Sequence, residues 1–422
     1  MNAEDPAIAA HVAELCQRAR PAARQLARLP AEARAAALRA AADALAQRAD
    51  SIRAANQRDV ARAREEGLSA ALIDRLRLDG DRLDGVIRDL RAVAELPDPV
   101  GAVLERRTIA QGMLAEKVAV PIGVVAVIYE SRPNVTVDAA ALCVRSGNAC
   151  ILRGGKEAGE SNRALAEAFR AGLAAAGAPA DAVQLVGIQD RALVPRLLAR
   201  DDAIDLVIPR GGEQLIKSVV ACSRVPVIKH DKGVCNLYVH ASADLEMALR
   251  IAINAKCQRP AVCNAIENLL VDAALADAFL PRLAAAMRER GVELRACPRA
   301  LPLLPGAVPA SEEDWATEYL ALILAVKVVD GLDDAIAFIA RYGSQHSDAI
   351  VAADEAAAAR FLAEVDSACV YHNASTRFTD GGQFGFGAEV GISTNRIHAR
   401  GPMGLRELTT YKWVVRGQGN VR

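Results

Sequence analysis

Residues 1–95 set alanine and leucine at intervals of three and four, with arginines and acids between them. "PAEARAAALRAAADALAQRADSIRAANQRDVARAREEG" (30–67) is the clearest case, and the spacing predicts amphipathic helices. "LPDPVG" (96–101), with two prolines and a glycine, ends that section. Over 103–118, "VLERRTIAQGMLAEKV", polar and apolar positions alternate on either side of Gln111-Gly112, which predicts a two-stranded ribbon. A lone ribbon is marginal in water and requires a partner surface.

From 119 the pattern changes. "AVPIGVVAVIYE" is a continuous β-branched run, as in a buried parallel strand. "TVDAAALCVRSG" predicts a helix, "NACILRGG" a strand, "KEAGESNRALAEAFRAGLAAAG" a helix and "AVQLVG" a strand. "RALVPRLLAR" predicts a helix, "AIDLVIPRGG" a strand and glycine loop, "EQLIKSVVACS" a helix and "VPVIKH" a strand. Such alternation predicts a doubly wound parallel sheet, which binds ligands at the carboxyl ends of its strands. A second α/β section begins near 240. A glycine-rich stretch without periodicity occupies 376–404, and long stretches of that kind in a compact protein are usually functional.

Composition narrows the function. The 422 residues suffice for two or three domains, and a formal net charge of −1 gives no footprint for nucleic acid or an anionic membrane. No apolar run approaches the roughly 20 residues of a membrane span. The N-terminus lacks the apolar core of a secretory signal, and Glu4, Asp5 and Glu14 argue against a transit peptide. Nine cysteines at irregular spacing, with no CxxC pair and scattered histidines, predict reduced thiols in a cytoplasmic protein and no metal site.

Three stretches could carry chemistry. In "ILRGGKEAGES" (151–161) a strand runs into Arg153, Gly154, Gly155 and Lys156 before a helix. Glycines admit a phosphate to the backbone, helix starts attract anions, and two cations add to this. The plainer reading is a strand–helix turn with solvated bases. "VIPRGGEQL" (207–215) repeats the arrangement with Arg210, Gly211 and Gly212. "GFGAEVG" (385–391) imitates a dinucleotide fingerprint but lacks the preceding strand and the βαβ unit. The third stretch, "NAKCQRPAVCNA" (254–265), holds Cys257 and Cys263. An ordinary thiol is only a few per cent thiolate at neutral pH, and most loop cysteines are structural. Arg259 gives Cys263 a slight edge, and residue chemistry goes no further.

Four blocks resemble one family along the chain: residues 120–158, 205–216, 254–271 and 385–422. The family is that of the gamma-glutamyl phosphate reductases, within the aldehyde dehydrogenase superfamily. The resemblance implies an α/β fold that is aldehyde-dehydrogenase-like, with two doubly wound parallel-sheet domains and a small β oligomerisation module. It implies an NADPH-binding domain at 1–102 and 119–239, a catalytic domain at 240–388, and an oligomerisation module at 103–118 and 389–422. It also implies NADPH-dependent reduction of L-glutamyl 5-phosphate to L-glutamate 5-semialdehyde and phosphate, a step in proline biosynthesis. A homo-oligomer functionally coupled to glutamate 5-kinase goes with that reading. The rivals are an oxidative or acyl-CoA-linked aldehyde dehydrogenase of the same superfamily and a catalytically dead scaffold.

The family motif makes Cys263 the nucleophile, although Ala261-Val262 stand where glycine and threonine are usual. A second oxyanion donor is expected from "SRPN", either Arg132 or Asn134. "TEYLALILAV" (317–326) resembles the segment whose glutamate holds the nicotinamide ribose, which points to Glu318. The block "VIKHDKGVCNLYV" (227–239) aligns with the segment that carries the hydrolytic glutamate of oxidative relatives, and it contains none. A substrate with an α-amino group and an α-carboxylate needs polar partners. Ser393, Thr394, Asn395 and Arg396 are the candidates, with "NASTRFTD" (373–380) just upstream, and a subunit-contact strand over Ser393 to Arg400 is the equal alternative.

Overall fold

The computed structural model describes residues 5–422, so residues 1–4 of the expected nucleotide domain, with Glu4, lie outside it. Two compact units are present. One comprises residues 5–229, 385–391 and 403–422; the other comprises 230–384 and 392–402.

The first unit opens with the expected helices, Pro6–Leu26, Ala31–Gln47, Ala49–Glu65, Ala70–Leu76 and Asp81–Glu95. They pack closely against the unit's later helices. A Cβ at Gly172, in the helix Gly159–Ala175, would lie 2.3 Å from Ala41 Cα, so only glycine allows these helices to approach. Buried Asp59 accepts from the backbone N–H and hydroxyl of Ser161, each at 2.7 Å, and ties the opening helices to the start of the helix Gly159–Ala175. That parallel sheet has four strands, ordered Val183–Leu185, Ala149–Arg153, Val124–Tyr129 and Leu206–Arg210.

Two expectations change here. "VPVIKH" is not a strand but a single bridge, Val207 to Val227. Pro226 has no N–H to give the ladder, so contact with Val207 is limited to its own carbonyl and the N–H of Ile228. The run from 119 is also divided. Leu114–Pro121 belongs to the ribbon, and a new strand starts at Val124. Gly123 makes the break at φ +134°, where a Cβ would fall 2.2 Å from the Asp205 carboxylate. The ribbon Val103–Thr108 and Leu114–Pro121 gains a third strand, Thr409–Arg416, antiparallel to the second.

The second unit is built on a seven-stranded sheet with every recorded pairing parallel. Its strand Cys235–Val239 pairs with Ile266–Asp272 and Ser347–Val351. The segment expected to close the first domain at 239 is therefore a central strand of the second unit. The expected module at 389–422 is likewise divided, since residues 392–402 lie in the second unit.

Candidate active site

The second unit holds Cys263. The helix Leu245–Cys257 begins at Asp244, whose carboxylate accepts from Met247 N at 2.7 Å. It ends four residues into "NAKC", and the chain turns through 258–265 before the strand Ile266–Asp272. Lys256 and Glu267 flank that turn, and both side chains are fully buried. Lys256 Nζ ion-pairs with the Glu267 carboxylate and donates to Ile266 O at 3.0 Å. Glu267 also accepts from Leu320 N at 3.3 Å. Burial pushes Glu267 up to about 7 and pushes Lys256 down, and each opposes the other's shift. The two ends of the thiol loop are thus clamped by one charge pair inside the fold.

Cys263 itself is half-buried. Its carbonyl accepts from Cys235 Sγ at 3.2 Å. A Cβ at Gly233 would lie 2.1 Å from that carbonyl oxygen and 2.6 Å from Cys263 Cα, so residue 233 must be glycine for the turn to seat. Cys235 is buried and its pKa lies well above the ordinary range through burial, so it serves as a neutral thiol donor. Cys257 is unlike Cys263. It lies in the last turn of the helix 3.9 Å from Met287 Sδ, and burial raises its pKa.

Three bonds from a downstream segment hold the residue after the thiol. Asn264 Nδ2 donates to Thr379 O and Thr376 Oγ1 donates to Asn264 O, each at 2.7 Å, while Arg377 Nη1 donates to Asn264 Oδ1. Arg377 Nε donates to Gln258 Oε1 at 2.8 Å. Burial lowers the Arg377 pKa, and the neighbouring Arg259 lowers it further. Sequence reasoning flagged the stretch 376–404 that holds Arg377 without singling that residue out, and it missed the Lys256–Glu267 pair. The lysine had one signal: Ala248, Ala252 and Lys256 recur every four residues on the buried helix face.

Glu318 and the 393–396 stretch also belong to the second unit. Glu318 is half-buried, between the turn Glu313–Ala316 and the strand Ile323–Val329. Ser393 is buried, and its hydroxyl accepts from Asn395 N at 3.1 Å, so it closes its own loop. Thr394 is half-buried. Arg396 is exposed and ion-pairs with Asp366, which also takes Arg400.

The remaining candidates lie in the first unit. Arg153 ends the strand Ala149–Arg153 half-buried, and its Nε is buried without a hydrogen-bond partner among the described residues. Lys156 is exposed, 3.8 Å from Glu66. The two cations of this loop therefore have unlike surroundings. Side chains of the chain itself fill the space beside both glycines. A Cβ at Gly154 would lie 2.1 Å from Asn162 Nδ2, and one at Gly155 would lie 2.1 Å from Glu157. Glu157 in turn accepts from Ser131 N and Oγ at 2.6 and 2.8 Å.

The second loop is similar. A Cβ at Gly211 would lie 2.4 Å from Glu130 Oε2, and Gly212 N donates to that oxygen at 3.2 Å. A carboxylate of the chain thus stands at the start of the helix Glu213–Cys222, where the sequence suggests a cofactor phosphate. Arg210 is half-buried, 4.0 Å from Glu389. Asn134 opens the helix Asn134–Arg145, and its Nδ2 donates to Asp138 at 2.8 Å. Burial raises Asp138 to about 6. Arg132 is half-buried just before that helix.

The Aldehyde dehydrogenase family profile matches residues 5–295. The chain belongs to the aldehyde dehydrogenase family. More narrowly, it is one of the gamma-glutamyl phosphate reductases. It is 55% identical to the gamma-glutamyl phosphate reductase of Symbiobacterium thermophilum, over 97% of this chain and 100% of that one. It is 53% identical to the enzyme of the same name from Moorella thermoacetica, over 98% and 99%. The crystal structure of the Thermotoga maritima gamma-glutamyl phosphate reductase superposes with a TM-score of 0.96 at 45% identity, over 98% of this chain and 100% of that one. An acetylating aldehyde dehydrogenase from Geobacillus thermoglucosidasius, at 17% identity and TM-score 0.70, shares the fold alone. The family uses a nicotinamide cofactor.

Proposed function

We propose that this chain reduces L-glutamyl 5-phosphate to L-glutamate 5-semialdehyde with Cys263 as nucleophile and NADPH as reductant. Full-length similarity to gamma-glutamyl phosphate reductases carries the reaction. The seating of Cys263, beside two cations and over Gly233, supports its role. The thiolate attacks the acyl carbon, the carbon–oxygen bond to phosphate breaks, and phosphate departs with the electron pair. When bound, the nicotinamide supplies a hydride to the thioester carbon. The resulting thiohemiacetal collapses, the carbon–sulfur bond breaks, and the aldehyde leaves with the thiolate restored. An oxyanion forms twice and needs fixed donors. The N–H of Cys263 is one. Of Arg132 and Asn134, we favour Asn134, because Asp138 fixes its amide. The deciding assay is phosphate-dependent NADP reduction by glutamate 5-semialdehyde. Activity on CoA thioesters in its place would support the acyl-CoA rival.

For the cofactor, the partnerless buried Nε of Arg153 fits an anion. Arg153 and Lys156 are proposed to take the 2′-phosphate, with Gly154 between them. Arg210 and Glu318 are proposed as the remaining contacts, and Gly211 and Gly212 join them only where the cofactor displaces the Glu130 carboxylate that the Gly212 N–H now holds. Charge-assisted bonds are worth roughly 1.5–3 kcal/mol, so Arg153→Ala should weaken NADPH binding about tenfold or more. NADH binding should barely change. Equal loss for both cofactors, read by fluorescence titration, would assign Arg153 to the pyrophosphate or the fold.

A homo-oligomer is proposed from the three-stranded ribbon sheet, which exposes Val103, Leu104, Tyr411, Trp413 and Val415. No helix among the described residues is long and apolar enough to cross a membrane. A cytoplasmic enzyme, functionally coupled to glutamate 5-kinase, completes the proposal.

The 393–396 stretch is read as a subunit contact, with Ser393, Thr394 and Arg396 as substrate ligands the rival. Ile397 is 84% exposed and Arg396 is held outward by Asp366. Arg396→Ala should leave the KM for the amino-acid substrate within about twofold, because an exposed ion pair contributes little. Light scattering should show a smaller particle. A raised KM with the particle intact would restore the substrate reading.

A further inference from the structure

Arg377 is a half-buried cation with no ion pair to a carboxylate among the described residues, and it sits on the residue after Cys263. Its guanidinium is held by two neutral amide oxygens, Asn264 Oδ1 and Gln258 Oε1, which come from opposite sides of the thiol. Nη2 makes no bond to the described residues, so the fork keeps donors available. Asp380 lies near enough for its charge to oppose the lowering of the Arg377 pKa. Its carboxylate accepts from Gly382 N and Gln383 N, at 2.9 and 3.3 Å, and forms no ion pair with Arg377. Arg259 is an exposed second cation on the thiol loop, and it too has no carboxylate partner among the described residues. Two like charges beside each other at a half-buried position are costly unless an anion completes them.

We infer that Arg377 and Arg259 form the subsite for the phosphoryl group of the acyl phosphate, anchored on the thiol loop by Asn264 and Gln258. This rests on the reaction proposed above. The departing phosphate carries negative charge that grows as the carbon–oxygen bond breaks, and a planar guanidinium fork meets phosphate oxygens in pairs. Held by neutral amides, Arg377 keeps its full charge for the substrate. Arg377 also acts electrostatically on Cys263, so one device faces both the nucleophile and the leaving group.

The reverse reaction tests this, since inorganic phosphate is then a substrate in its own right. In phosphate-dependent NADP reduction, Arg377→Ala should raise the KM for phosphate about tenfold or more, with the KM for glutamate 5-semialdehyde changed less than about twofold. Arg377→Lys keeps the charge and should recover part of the loss. Arg259→Ala alters an exposed side chain without touching the anchors, and should raise the phosphate KM about threefold. A rise in the semialdehyde KM instead would assign Arg377 to the α-carboxylate and overturn the inference. Unchanged KM values would leave Arg377 a loop anchor only and would also overturn it.

Labelling of Cys263, read by peptide mass, is independent of turnover. Iodoacetate should outrun iodoacetamide beyond their ratio on a small thiol, phosphate should protect, and both effects should fall in Arg377→Ala. If the wild-type enzyme shows no phosphate-dependent turnover, the reaction assignment fails. The labelling then decides the anion site by itself: a wild-type iodoacetate preference with phosphate protection supports it, and their absence overturns it.

Discussion

Cys263→Ser should lower turnover by about three orders of magnitude or more, with NADPH binding nearly intact. A serine hydroxyl needs an adjacent base to attack at neutral pH, and the loop is built for a group that ionises by itself. Its surroundings include the Arg377 and Arg259 cations and the neutral donor Cys235, whose thiol donates to the Cys263 carbonyl. The cofactor candidates Arg153, Lys156 and Arg210 belong to the other unit, so the substitution leaves them untouched. Cys257→Ser should retain most activity, because that thiol packs on Met287 and burial keeps it protonated. Steady-state turnover and fluorescence titration of NADPH check both halves. If Cys257→Ser were the dead enzyme, the nucleophile assignment would be wrong.

The strands of the first sheet are legible because a strand buried on both faces reads as an unbroken apolar run. Val124–Tyr129 and Ala149–Arg153 are such runs. "VPVIKH" has the same composition but fails, since one proline at 226 removes a ladder donor and hydropathy does not register that. The strand at 235–239 escapes sequence reading for a different reason. It lies next to the first domain along the chain, but its sheet is decided by pairing with 266–272 and 347–351, which are far along the chain.

The glycine loops show a further limit. Their sequences suggest phosphate cradles, but Glu130, Glu157 and Asn162 fold back onto the positions where a Cβ would stand. An acid in sequence gives no sign of which loop it will close. Arg377 is hidden for the same reason: it lies 114 positions after Cys263, in a segment with neither period nor motif. What the residues do announce is the thiol itself, through the family pattern around it.

The buried Lys256–Glu267 pair gives the second large effect. Removing one partner of such a pair typically costs about 3–5 kcal/mol, because the other charge is left in the interior. Lys256→Met should therefore lower the urea midpoint, and by an amount that depends on pH. Glu267 already lies near 7 with the lysine present, above the value of about 4.3 for an unperturbed glutamate. Without Lys256 it rises further. An acid raised in the folded state holds its proton more tightly there than in the unfolded chain. Its contribution is present in full below the unfolded value and is lost as pH rises through the folded one. The destabilisation should thus be small near pH 5 and large near pH 8. Replacing both partners, Lys256→Met with Glu267→Leu, should recover most of the stability at pH 8, since a well-packed apolar pair can substitute for a buried salt bridge. Activity separates stability from positioning. The pair clamps residues 256 and 267 on either side of Cys263, so the double variant should fold yet alkylate Cys263 with altered rate and lose kcat more than KM. A double variant with wild-type kcat would show that the clamp holds the fold and has no part in aiming the thiol.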